Sequence, residues 1–251
     1  MSWVGVEMNN KGLHNPLGIA RLCAKLEEKL AAAGYSVELS SDFILLDKTK
    51  QELRQAKVGP MHDAEVCDFS NERAFWMRLV DDKGKTVGTQ AYRCDYVDTS
   101  LADWLPNYMI GVYMRRAEVM MPSHPKPPRG SISWRLRGRL VYEGELWLAP
   151  SAKGKNVFDS FTRLGMLLCI VKWNPDAIYA LTSEKMANHG HLIRIGFSNI
   201  ERGTLRWEWA SKDVEPVEYL AVVERNGLEQ TIEEMLVTRV ESLPDQIHMP
   251  Q

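Results

Sequence analysis

Four groups of residues in this chain have the types and spacing to do chemistry. Lys153-Gly154-Lys155 sits in a turn that leaves one apolar run and opens an amphipathic one. Free backbone N–H groups and the positive end of a helix dipole converge at such a turn, and glycine lets a ligand approach the backbone closely. That arrangement suits phosphate, although a solvated basic loop gives the same pattern. Glu143 and Glu145 stand two residues apart in the run Tyr142 to Leu148. Strand alternation there puts Tyr142, Gly144, Leu146 and Leu148 on one face, and both carboxylates with Trp147 on the other. His189-Gly190-His191 offers either a metal pair or a proton shuttle, but no third ligand stands at a metal-binding spacing. A catalytic or substrate-contacting His191 is the better use of that pair. Finally, Arg135 and Arg137, with Arg139, alternate in the run Ser131 to Leu148. On one strand face they would receive a carboxylate or phosphate of substrate, or simply line a solvated edge.

Other chemistries lack their signatures. No G-x-S-x-G elbow is present, and no complete Walker or dinucleotide fingerprint occurs.

The elements that must position these groups follow from pattern. Asn15-Pro16 is a helix start, and Ile19, Leu22, Cys23, Leu26 and Leu30 recur at helical spacing up to Gly34. Tyr35 to Leu39 alternates as a short strand, Phe43 to Leu46 is a second apolar run, and Asp47 to Gln55 is weakly helical. Glu72 to Val80 and Thr86 to Tyr96 form a hairpin around Gly84. Leu101 to Arg116 is helical in part, with Pro106 and Gly111 as breakers. A loop with four prolines, Met121 to Gly130, precedes the strand run that begins at Ser131. Pro150 ends that run, and a helix with apolar Val157, Phe158, Phe161, Leu164, Leu167, Leu168 and Val171 follows the basic turn. Strands at Thr204 to Trp209 and Tyr219 to Glu224, a turn at Asn226-Gly227 and a helix or strand over Gln230 to Ser242 complete the order.

Composition narrows the partners. The chain has 251 residues, 45% hydrophobic and 25% charged, with a net charge of −2. That is long enough for a sizeable core, and a balance this close to neutral argues against a dedicated nucleic-acid binder. Cys23, Cys67, Cys94 and Cys169 form no C-x-x-C pair, which predicts free thiols in a reducing compartment and no structural zinc. No basic segment followed by an apolar run opens the chain, and no apolar run approaches the roughly 18 residues of a membrane span. The expectation is a cytoplasmic protein without membrane partners.

The run L-x-L-A-P-x-x-K-G-K-x-V from Leu146 to Val157, the apolar helix, a strand at Ala177 to Leu181, Asn188 and Gly196-Phe197 together resemble the GCN5-related N-acetyltransferase (GNAT) superfamily. The order of elements follows the resemblance over residues 65 to 225, and the sequence motifs over 140 to 197. The resemblance implies a single α/β (α+β) domain, a mixed, mostly antiparallel sheet flanked by helices in a GNAT-like acyl-CoA acyltransferase fold. Residues 1–64 would be an N-terminal helical extension, 65–225 the core and 226–251 a C-terminal element.

It also implies acetyl-CoA or another acyl-CoA as co-substrate, no metal, and a small-molecule or peptide acceptor; a homodimer is compatible with it. The amides of Lys153, Gly154, Lys155, Asn156 and Val157 would cradle the pyrophosphate, Trp147 and Leu148 would pair with the pantetheine arm, and Asn188 matches the later asparagine. Glu143 or Glu145 would be the base that deprotonates the acceptor, directly or through water. The motif's outer positions here are Ser151 and Asn156, and His191, Leu192 and Ile193 occupy the region of the family's acid tyrosine. The alternatives are an acyl-carrier-protein donor and a non-catalytic interaction protein that keeps the fold.

Overall fold

Asn15 caps the first helix: its side chain accepts from Gly18 N at 3.0 Å, and Pro16 begins α1 (Pro16–Ala32). The structure is a computed structural model that describes residues 13, 15–70, 72–118, 121–122, 126–152, 157–209 and 214–237. The buried face of α1 is Ile19, Leu22, Leu26 and Leu30. Gly34, in the left-handed region, turns the chain into β1 (Tyr35–Ser40). β1 pairs antiparallel with β2, so the segment before residue 65, expected as a helical extension, also supplies the edge strand of the sheet.

Asp42 then caps α2 (Phe43–Arg54) by accepting from Leu45 N at 2.9 Å. The apolar run Phe43–Leu46 and the weakly helical stretch after it are therefore one helix. Phe43 and Leu46 face inward, while Ile44 stays exposed.

A 3-10 turn at Pro60–His62 leads to the hairpin of β2 (Ala74–Asp81) and β3 (Thr86–Val97). Asp81 closes it by accepting from Lys83 N and Lys85 N. α3 (Leu101–Arg115) is a single helix in spite of Pro106, started by the Ser100 cap. The two-residue β4 (Met121–Pro122) follows. The stretch from Ser131, expected as one continuous strand, instead begins with a 3-10 turn at Ile132–Trp134. Glu201 explains the difference. Its carboxylate accepts from Ile132 N at 2.8 Å and Ser131 Oγ at 2.6 Å, which satisfies the backbone outside any ladder.

β5 (Gly138–Leu148) starts at Gly138, with φ +91, and α4 (Val157–Trp173) crosses to β6 (Ala177–Thr182). The short helices α5 (Glu184–Asn188) and α6 (His191–Ile195) precede β7 (Asn199–Trp209) and β8 (Val217–Glu224). Asn226-Gly227, expected as a turn, lies in the first turn of α7 (Arg225–Val237).

The strands are ordered β1-β2-β3-β5-β6-β8-β7, with β4 outside β7, and β5–β6 is the parallel pair in an otherwise antiparallel sheet. Helices cover both faces. α1, α4 and α7 pack with Phe75, Met77, Tyr92, Val141 and Ile178. On the other face α3 covers Leu140, Tyr179, Leu220 and Val222, and α2 covers Trp76 and Ala91. Arg93 fastens that second layer. Fully buried on β3, it pairs with Asp95 at 2.8 Å and donates to Met61 O and to Tyr108 Oη of α3. Cys169 is buried in α4 and Cys23 packs against the same core, as their spacing predicts.

Candidate active site

Parallel strands joined by a crossover helix present their C-terminal ends to the same side of a sheet, and ligands collect where such strands part. Here β5 and β6 pair only from Leu140↔Ala177 to Glu143↔Ala180. Beyond that point β5 stays with β3, up to Gly88↔Leu148, and β6 stays with β8, up to Thr182↔Tyr219. The two strands diverge, and a cleft of about 800 Å³, counted out to its open mouth, fills the opening. Tyr142, Glu143, Gly144, Glu145 and Leu146 form one wall, and Ala180 to Ser183, Met186, Leu192 and Phe197 form the other; Lys50 and Arg54 of α2 reach its rim.

A bulge in β5 sets the positions of the two carboxylates. Ala91 faces Gly144 but Thr89 faces Trp147, so β5 carries one residue more than β3 over this interval. Glu145 takes up the excess with φ +56. Glu143 keeps the orientation that alternation gives it, on the α4 side with Tyr92. Glu145 is turned through to the α2 side. Its Oε1 accepts from Gly59 N at 2.5 Å, its Oε2 pairs with Lys50 Nζ at 2.7 Å, and its carbonyl accepts from Thr89 Oγ1 at 2.8 Å. The expected common strand face for Glu143 and Glu145 is thereby corrected, since a one-residue insertion reverses the parity of every later side chain.

The electrostatics of the pair diverge with the geometry. Burial alone pushes the Glu143 carboxyl up to about 8, and its buried Oε2 has no partner among the described residues. Tyr142 is raised well above its ordinary value, by burial first and the Glu145 charge second, so its hydroxyl holds its proton. Behind Tyr142, His62 is buried and tilted against the tyrosine ring at 5.2 Å. Burial, then Arg93 and Lys50, hold it well below its ordinary value, so its ring is neutral.

The remaining predicted residues spread around this cleft. Trp147 and Leu148 continue the β5 edge past the point where β6 leaves it, still paired on their other side with β3. Val157 is the buried first residue of α4. Lys153, Gly154, Lys155 and Asn156 lie outside the described residues. Asn188 is the exposed last residue of α5.

His191 begins α6 with its ring 5.3 Å from that of Phe158, near the start of α4, while its neighbour Leu192 lines the cleft. Its stacking with His189 leaves ring centroids 6.1 Å apart. Among the described residues no group of three or more His, Cys, Asp or Glu could hold a metal ion, and no helix is long and apolar enough to cross a membrane.

Arg135 and Arg137 do not share a strand face. Both precede β5, at the end of the sheet opposite the cleft, where Arg135 pairs with Glu224 at 2.8 Å. The early 3-10 turn is the physical reason, because it removes these positions from the strand.

The cleft residues that the sequence reading passed over are Tyr142, Lys50 and Arg54. Lys50 and Arg54 belong to the polar face of a helix whose register became visible only once Asp42 was known to cap it.

No family model matches the chain, and no curated protein matches it significantly. Among solved structures it is similar to the spermidine N-acetyltransferase SpeG of Vibrio cholerae (9% identity, 78% of this chain and 96% of that one, TM-score 0.45). It is also similar to Arabidopsis thaliana NAA60 in complex with acetyl-CoA (9%, 75% and 99%, TM-score 0.44). A third match is the aminoglycoside acetyltransferase AAC(6')-Ib in complex with coenzyme A and kanamycin (13%, 78% and 98%, TM-score 0.41). Likeness this distant transfers neither residues nor substrates. On its own strand order the chain is a mixed, mostly antiparallel sheet flanked by helices, with hairpin, strand, crossover helix and parallel strand in the expected succession.

Proposed function

We propose that this chain is a divergent GNAT-type acyltransferase that moves an acyl group, acetyl in the first instance, from a CoA thioester to an amine. One observation carries the reading: at the vertex where β5 leaves β6 stands a buried carboxyl, Glu143, whose Oε2 has no partner among the described residues and which burial pushes up to about 8. Acid–base work near neutral pH asks for a group tuned in that range. The free edge of β5 after Glu143 offers backbone groups to an extended pantetheine arm, as an added strand would use them. Beyond it, residues 153–156, with Lys153, Gly154 and Lys155, precede α4 in sequence, and pyrophosphate would lie at the helix N-terminus.

In this reading ionised Glu143 takes a proton from the acceptor ammonium, directly or through one water. The neutral amine then attacks the thioester carbonyl. The N–C bond forms, the C–S bond breaks, the thiolate takes a proton, and the second amine proton passes, through water, to the group that gave it. Tyr142, which stays protonated and lines the cleft, is the donor to the thiolate. It takes the place of the family's missing tyrosine.

Thermal-shift titration with CoA and acetyl-CoA tests the donor site, with Gly154→Glu as the control. Ligand at a hundredfold excess over its Kd stabilises the native state by about 2.7 kcal/mol. A rise in Tm that the Gly154→Glu variant loses supports the reading. No shift at millimolar CoA removes CoA as donor.

A further inference from the structure

We infer that the acceptor carries its own oxyanion beside the reacting amine, a carboxylate in the first instance, and that Arg54 receives it. The inference rests on the acyl-transfer reading and adds the class of acceptor. Among the described residues, four charged ones reach the cleft: Lys50, Arg54, Glu143 and Glu145. Lys50 and Glu145 neutralise each other at 2.7 Å, with both side chains largely buried, and Glu145 is further held by Gly59 N. Glu143 is uncharged over most of its population at neutral pH because it is buried. Glu218, whose charge also reaches Tyr142, does not line the cleft and accepts from Trp207 Nε1 at 2.7 Å.

Arg54 is what remains. It is exposed in the last turn of α2, and none of the hydrogen bonds or ion pairs among the described residues involves it. Its helix packs on Trp76 and Ala91, across the sheet from α4. A planar, permanently charged fork at the rim of the cleft fits a carboxylate in two-point contact. A polyamine would meet the same charge as repulsion.

Acetyl transfer from acetyl-CoA is measured, as thiol release, on three matched series: free amino acids, their carboxamides, and amino alcohol phosphates. Wild-type kcat/KM is expected to favour the carboxylates over the carboxamides by about tenfold or more. Arg54→Gln should abolish that preference by raising KM far more than it lowers kcat, and Arg54→Glu should invert it. A phosphate series that outruns the carboxylates keeps Arg54 as the oxyanion receptor and changes which oxyanion it receives. Carboxamides used as well as carboxylates, or a preference that survives Arg54→Gln, overturns the inference and leaves acyl transfer standing. If no series reacts, the inference also falls, and the CoA thermal shift decides separately whether the acyl-CoA reading falls with it.

Discussion

Glu143 and Glu145 lie two residues apart on β5 and face opposite sides of the sheet, because Glu145 is the left-handed residue of the bulge between Gly144 and Trp147, which pair with Ala91 and Thr89 of β3. One carboxyl ends buried at the vertex of the cleft, its Oε2 without a partner among the described residues. The other is tied to Lys50 and Gly59. Two carboxyl groups held in such different surroundings can divide labour between proton transfer and positioning. The bulge is what separates them.

Glu143 should make the protein's stability fall as pH rises. Its carboxyl titrates at about 8 when folded and near its ordinary 4.5 when unfolded. Below 4.5 both states are protonated and the full stability is present. Between 4.5 and about 8 the unfolded chain releases a proton that the folded chain keeps, so stability is lost. Above 8 the loss is constant. Glu143→Gln lacks this slope and should match wild type near pH 4 and exceed it at pH 8, by on the order of a few kcal/mol. Thermal melts of both proteins from pH 4 to 9 read the difference directly. Parallel curves would rule out a buried, high-titrating Glu143. In turnover the sign reverses: the proposed base is the ionised form, so on that reading wild-type rate should climb through pH 8.

Glu145 should matter through structure. Its side chain is about 6% exposed and that of Lys50 about 15%, so removing either leaves a charge largely out of water. Glu145→Gln and Lys50→Met should each destabilise by roughly 2–4 kcal/mol, and the double variant by less than the sum. Neither should remove the pH 8 limb of the rate profile. Loss of that limb in Glu145→Gln, with the fold intact, would move the base from Glu143 to Glu145.

Tyr142→Phe tests proton donation to the leaving sulfur. The ring contacts with His62 at 5.2 Å and Tyr179 at 5.4 Å survive the change, so the fold should hold. A drop in kcat of about a hundredfold with CoA thioesters is expected, within the range for general acids. Unchanged kcat would leave the thiolate to be protonated by water.

The frame of this protein was legible because its signals are local. Asn15-Pro16, the Gly84 hairpin and the apolar face of α4 each announce an element within a few residues. The cleft was half legible: Glu143 stood out as a strand carboxylate before a basic turn, but its separation from Glu145 depends on a register shift against β3, some fifty residues away. Arg135 and Arg137 were misplaced for a similar reason, since Glu201, on a distant strand, holds Ser131 and Ile132 out of the sheet. Lys50 and Arg54 carried no local signal at all; only packing brings α2 to the rim.

Gly144 shows how tightly this corner is built. A Cβ there would fall 2.9 Å from His62 Cε1, 3.1 Å from His62 Nδ1 and 2.9 Å from Tyr142 Cε1. His62 cannot retreat easily, because its other side stacks on Phe43 at 5.7 Å. Gly144→Ala should therefore destabilise by about 1–3 kcal/mol, the usual penalty for overpacking a well-filled interior. His62→Ala opens space on the side where the new methyl must go. Combined with it, Gly144→Ala should lose part of its penalty, a coupling of about 0.5–2 kcal/mol in denaturant titrations. Strict additivity would mean that the imidazole does not fill the space over Gly144. With coupling present, the 3-10 turn that carries His62 is what holds the bulge, and through it the opposed carboxylates, in place.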